Sequence, residues 1–165
     1  MPTIEVTTHI AAPVERCFDL SRSIDLHQDS QSASDERAVY GVTSGLIDLG
    51  QSVTWEARHL GVRQRLTSRI TAFDRPRHFR DSMVAGAFAQ LDHDHWFESD
   101  GATGTVMRDV FYFEAPLGIL GRIAELLVLT PYMRRLLIAR NAVVKRVAES
   151  EKWRRYLPPP GPPSR

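Results

Sequence analysis

His93 and His95 are the residues of this sequence best placed to do chemistry. They stand two apart in a segment whose alternate positions Leu91, His93, His95 and Phe97 fall on one face of a strand. A later segment places Met107, Asp109, Phe111 and Phe113 on one face in the same way, and an earlier one carries Asp81. With the chain reversing at residues 99–104, Asp109 is expected across from His93, and Asp81 on the other side. The apolar neighbours turn this face inward.

Three kinds of chemistry fit two imidazoles between two carboxylates. The first is a buried polar network, in which the carboxylates accept from ring N–H groups. The second is recognition of a carbonyl or hydroxyl on an otherwise apolar ligand. The third is an acid–base or metal site. His93 held by Asp109 or Asp81 is an oriented base, and His93, His95 and Asp109 are a workable ligand set for zinc or iron. None of these segments contains a motif that names a cofactor, and none is expected.

The elements that must position these residues read in a clear order. Residues 3–10 alternate as a strand, with Ile4, Val6 and Thr8 on one face, and Pro13 suits the first turn of a helix to about Leu20. Residues 21–34 are polar and read as a short helix or loop, and residues 36–40 as a short strand. Residues 52–60 and 62–73 form a hairpin reversing at Gly61, with Leu66 and Ile70 on one face of its second strand and Arg63, Arg65 and Arg69 on the other. Strands follow at 78–84, 88–98 and 103–114. After an apolar stretch, residues 119–129, Thr130-Pro131 has the signature of a helix start. Met133, Leu136, Leu137, Arg140, Val143, Val144 and Val147 then recur at helical spacing toward Trp153. Arg140 within that stripe implies a buried stem or a paired charge. One domain, residues 1–156, and a proline-rich disordered tail, residues 157–165, are expected.

Strands followed by one long helix predict an α+β fold, a curved antiparallel sheet wrapped around the C-terminal helix with a hollow between them. Trp55, Ala57 and His59 share one strand face, so Trp55 would wall the hollow and His59 would sit near its rim. The residues expected to touch a ligand there are Trp55, His59, Leu66, Ile70, Met83, Leu91, His93, His95, Phe97, Met107, Asp109, Phe111, Leu136 and Arg140. Asp25 and His27 near Ser21, Ser23 and Ser30 resemble a hydrolase triad in composition only; no Gly-x-Ser-x-Gly elbow accompanies them, and turn capping is the simpler role.

Composition narrows the classes. The chain has 165 residues, 42% of them hydrophobic and 25% charged, which suits a globular domain. No apolar run is long enough to cross a membrane, and the first ten residues lack the basic start of a signal peptide. The lone cysteine, Cys17, cannot form an internal disulfide; a cytoplasmic protein is expected. Basic residues gather late: residues 118–165 hold 10 basic and 3 acidic side chains, against 11 and 17 before them. A solvated helix face explains this, as does an anionic partner or surface. No nucleic-acid motif and no phosphate-binding glycine loop is present. The 119–129 stretch reads as a helix docked on its own sheet, a lid, or a homodimer patch.

Several segments together resemble a known superfamily. Ile10-Ala11-Ala12-Pro13-Val14-Glu15-Arg16-Cys17-Phe18-Asp19-Leu20 resembles the strand-to-helix opening of START-like and polyketide cyclase proteins, the SRPBCC superfamily that includes the birch-pollen allergens. Val53-Thr54-Trp55-Glu56-Ala57-Arg58-His59, Phe79-Arg80-Asp81-Ser82-Met83, His93-Asp94-His95-Trp96-Phe97 and Pro116-Leu117-Gly118-Ile119-Leu120-Gly121 are similar to an uncharacterised bacterial branch of it. The resemblance spans residues 3–155 and implies a helix-grip fold. It also implies either a carrier of a small hydrophobic or amphipathic ligand, or a cyclase, aromatase or dehydratase using His93 with Asp109 or Asp81.

Overall fold

The computed structural model describes residues 3–31, 35–59, 61–116 and 125–158. Strand β1 (Thr3–Ile10) leads into helices α1 (Val14–Ser21) and α2 (Ile24–Ser30). Then come β2 (Arg37–Gly41), β3 (Ser52–His59), β4 (Val62–Asp74), β5 (His78–Ala85), β6 (Gln90–Asp100) and β7 (Gly104–Glu114). A π-helical turn, Glu125–Leu129, runs into the long helix α3 (Thr130–Ala148), and a 3-10 turn, Glu151–Arg155, follows. The strands make one seven-stranded antiparallel sheet in the order β1-β7-β6-β5-β4-β3-β2. Meanders pair each strand with the next, and β1 closes onto β7. Gly61 turns the β3–β4 hairpin at a φ of 81°, which only a residue without a side chain adopts freely. Register shifts between Thr67 and Ser68 and between Ile70 and Ala72 bulge the β4–β5 pair. Bulges bend strands and increase their twist, and the bent sheet has a concave face on which α3 lies. The fold is the expected α+β helix-grip.

Alternation along the central strands separates core from surface. In β7 every second residue from Thr105 to Phe113 is buried, and in β6 Leu91, His93, His95 and Phe97 are. The apolar residues form two clusters. One gathers around Phe18 of α1, whose ring meets Phe73, Phe79 and Phe97 edge-on at centroid distances of 5.3–5.4 Å, with Met107, Val144 and Val147 nearby. The other holds Ile4, Leu91, Phe111, Phe113 and Leu137. Cys17 is buried in the first cluster, and burial pushes its thiol up, away from the reactive thiolate.

Several expectations are corrected by the structure. Thr130 does not cap α3; Leu129 precedes it in helical conformation, so the π-helical turn feeds the helix directly. The helix ends at Ala148 rather than near Trp153, and Ser150 caps the separate 3-10 turn by accepting from the Lys152 N–H. Leu157, assigned to the tail, packs on the first cluster. The polar segment, by contrast, keeps its expected short helix at residues 24–30, with Ser23 accepting from the Leu26 N–H and Asp25 from the Gly45 N–H, the turn-capping role expected of these groups. Residues 117–124 and 159–165, which hold most of the 119–129 stretch and the tail, lie outside the described residues.

Asp19 joins α1 to the β4–β5 turn: it accepts from Arg75 Nη2 at 2.6 Å and from Arg22 Nε at 2.9 Å. Burial pushes its carboxyl up, but the two guanidinium partners outweigh this and hold it below its ordinary value of 3.8. The stabilisation is therefore complete above that value and lost as pH falls through the lowered one. Asp19→Asn should lower stability at neutral pH, with the difference from wild type shrinking below about pH 4 in urea melts run across pH. Phe18→Ala, which empties the centre of the aromatic cluster, should cost about 3–5 kcal/mol in the same assay at pH 7.

Candidate functional site

The site is built on the register of three central strands. Asp81 pairs with His93 across β5 and β6, and His95 pairs with Asp109 across β6 and β7. His93 faces Phe111, so the expected pairing of His93 with Asp109 is corrected by two residues. A two-residue slip keeps every side chain on its face, and all four groups still converge. Asp109 Oδ1 accepts from His93 Nε2 at 2.9 Å on the diagonal, and lies 2.8 Å from His95 Nδ1. That second approach is off the line of the N–H bond, leaving His95 Nδ1 without an aligned acceptor. His95 Nε2 is 3.1 Å from Asp81 Oδ2, and His93 Nδ1 is 3.9 Å from the same oxygen. Phe79 stacks on His95 at a centroid distance of 4.2 Å and fixes its plane.

Helix α3 closes this network from above. Asn141 donates to Asp109 Oδ2 at 2.7 Å. Arg140, only 4% exposed, donates to the Ser21 carbonyl at 3.0 Å and to Asn141 Oδ1 at 3.2 Å, and its Nη1 lies 3.5 Å from Asp109 Oδ1. Its stem is buried and its charge is paired. Asp109 is fully buried. Burial pushes its carboxyl up, but the hydrogen bond from His93, the close approach of His95 and the charge of both rings outweigh this, holding it well below the usual carboxylate range. The two imidazoles are driven apart. Burial and the neighbouring His95 lower His93; for His95 burial acts downward, but Asp109 and Asp81 win and raise it.

In front of this network lies a cavity of about 200 Å³ between the sheet and α3. Its walls include Trp55, His59, Leu66, Ile70, Leu91, His93, His95, Phe111, Leu136 and Arg140 from the expected set, together with Asp81. Four expected residues do not line it. Phe97 and Met107 are sealed under α1, where Phe97 meets Phe18 and Met107 meets the Ser21 hydroxyl. Met83 packs against the second apolar cluster. Asp109 sits behind the imidazoles, with both rings between it and the hollow.

A second polar group was not anticipated. Glu36 accepts from His27 Nε2 at 2.7 Å and lies 4.0 Å from His59 Nε2, while His59 Nδ1 bonds the Tyr132 hydroxyl of α3 at 2.9 Å. His27 stacks on Trp55 at 4.3 Å. Burial raises Glu36, but His27 and His59 outweigh it and lower the carboxyl. Glu36 and Tyr132 carry no sequence signal, because their partners, His27 and His59, lie on other elements of the fold. Asn141 could have been found as an amide in the buried stripe between Leu137 and Val144.

No family model matches the sequence, and no curated protein matches it. Solved structures do match the fold. The Zhui aromatase/cyclase from Streptomyces sp. R1128 superposes with a TM-score of 0.72 at 15% identity, over 90% of this chain and 93% of that one. Norcoclaurine synthase from Thalictrum flavum gives 0.65 at 12% identity, over 88% and 85%. A START superfamily protein from Mycobacterium smegmatis gives 0.64 at 12%, over 88% and 98%. The structural matches thus run across the SRPBCC superfamily, and the chain has its helix-grip fold; they select no branch within it. Among the described residues no helix is long and apolar enough to cross a membrane.

Removing one partner from a buried ionic network leaves the others uncompensated and costs about 3–5 kcal/mol. Asp109→Asn and Arg140→Met should each lose stability on that scale in urea denaturation. The double variant should lose less than the two together, because the charges that strand one another are both gone.

Proposed function

We propose that the protein binds a small apolar or amphipathic molecule in the cavity between sheet and α3, as a cytoplasmic carrier or receptor. The observation that carries this reading is the cavity itself: walls of Trp55, Leu66, Ile70, Leu91, Phe111 and Leu136, interrupted by a histidine–carboxylate cluster on one side. An apolar cavity of about 150 Å³ holds benzene, so one of about 200 Å³ suits a molecule of one or two rings. Burying roughly 300 Å² of apolar ligand surface contributes about 7 kcal/mol before ordering costs. Hydrogen bonds to His93, His95 or Arg140 would bring the total toward the roughly 8 kcal/mol of micromolar binding and select a polar substituent. Proteins of this fold include an aromatase/cyclase and START proteins, which agrees with such a ligand.

A second reading is supported by one feature. His93 lines the cavity while its Nε2 is anchored on Asp109, an arrangement that orients an imidazole to move protons on a bound substrate. A cyclase, aromatase or dehydratase would then be built on the same cavity. The two readings part on His93→Gln: a carrier changes only in affinity, whereas an enzyme loses turnover and keeps affinity.

Native mass spectrometry of untagged protein is expected to show a retained organic adduct of one or two rings. A polarity-sensitive fluorescent probe should bind the emptied protein, and Leu136→Trp should weaken that binding at least tenfold without lowering the melting temperature. A bare mass together with unchanged probe binding in Leu136→Trp would overturn the cavity reading.

A further inference from the structure

Asp81, His93 and His95 each reach the cavity, and one donor atom from each lies within 4.8 Å of the others. We propose that they form a binding site for one divalent transition-metal ion, with Asp109 as the residue that positions the two imidazoles. The expected ligand set of His93, His95 and Asp109 is thereby replaced: Asp109 is behind the rings, and Asp81 is the carboxylate on the cavity side.

The nitrogen assignments carry the inference. Asp109 Oδ1 takes His93 Nε2 and touches His95 Nδ1. The nitrogens left over, His93 Nδ1 and His95 Nε2, are those that approach Asp81 Oδ2, at 3.9 and 3.1 Å. Metal-binding histidines characteristically give their second nitrogen to a carboxylate, which fixes the ring and raises its basicity. Here one buried carboxylate does so for His93, and the same oxygen lies 2.8 Å from His95 Nδ1, off the line of its N–H bond. Ligand atoms about 2.0–2.1 Å from a tetrahedral zinc are about 3.3 Å apart, and small side-chain rotations bring the observed separations to that value. Two histidines and one carboxylate leave open positions, which the cavity supplies, and this donor set suits zinc or iron(II).

Charge points the same way. Asp81, Asp109 and Glu36 all interact with a single buried guanidinium, Arg140. The other arginines at the cavity wall are already paired, Arg22 with Asp19 and Asp48, and Arg65 with Glu56. Asp81 and Asp109 bring two carboxylates to the cluster against the one guanidinium of Arg140, which leaves it short of positive charge when both imidazoles are neutral. Arg140 itself donates to the Ser21 carbonyl and to Asn141 Oδ1.

The test uses the full chain, stripped by a chelator and titrated at neutral pH with Zn²⁺ alone and with Co²⁺ alone. One ion per chain is expected, with Co²⁺ giving the visible bands of a low-coordinate nitrogen–oxygen site. Asp81→Asn and His93→Gln should each weaken binding at least 100-fold. Asp109→Asn, by loosening both rings, should weaken it by about 10- to 100-fold. His9→Ala, which removes an exposed imidazole beside Asp100, should change nothing. Asp81→Asn decides the matter even if His93→Gln does not fold, because Asp81 is only partly buried and the amide is isosteric. Absence of stoichiometric binding, or equal binding by wild type and Asp81→Asn, would overturn the site. Leu136→Trp separates the two proposals: it should block the apolar probe and leave the Co²⁺ bands, so either can fail alone.

Discussion

A fully buried carboxylate, Asp109, is the constraint around which this structure is arranged. A charge removed from water costs several kcal/mol unless its oxygens are satisfied. Asp109 answers that demand from two elements: His93 and His95 on the adjacent strand, Asn141 and Arg140 on α3. Those partners fix the strand register and the rotation and height of the helix at once. A helix held over a sheet by apolar contacts alone can slide along its groove; one tied to a particular carboxylate cannot.

The same residues form a polar layer across the core. Along β6 the order is Leu91, His93, His95, Phe97; along β7 it is Met107, Asp109, Phe111; along α3 it is Leu137, Arg140, Asn141, Val144. In each element the polar positions fall between the two apolar clusters. On one side α1 fills the concave face with Phe18 and closes it. On the other α3 stands off the sheet over the cavity. The hollow therefore begins where α1 ends, and its floor is the polar layer. Fold and site are not separate features here: His93, His95 and Arg140, which help hold the helix in place, also line the cavity.

Much of this could be read from the sequence because side-chain facing has a period of two. The observed pairing of β6 with β7 differs from the expected one by two residues, yet His93, His95, Asp81 and Asp109 still meet, since an even slip preserves faces. What the slip hid was the division of labour, in which Asp109 lies behind the rings and Asp81 in front. That depends on depth, which α1 sets by burying Phe97 and Met107. Glu36 and Tyr132 were illegible for another reason. Their partners, His27 and His59, come from separate elements, and only the closed fold brings them together. The start of α3 differs from its sequence signature because Thr130-Pro131 has the composition of a helix start while the chain before it is already helical.

Stability alone does not account for the polar layer. Well-packed apolar side chains of similar volume often match or exceed a buried ionic network in stability, and the flanking clusters show that this fold accommodates them. What an apolar layer cannot do is hold two imidazole rings at fixed orientation with one edge of each turned to a hollow. Hydrogen bonds in a polar network strengthen one another in a low dielectric, and the rigidity this confers suits the proposed metal site, whose donor atoms must stay within tenths of an ångström. The polar wall is also where selectivity must reside, since an apolar hollow alone discriminates little between molecules of similar size. A molecule seated in this cavity as proposed would turn its polar group to a charged and preorganised surface, so its recognition would be governed by electrostatics more than by shape.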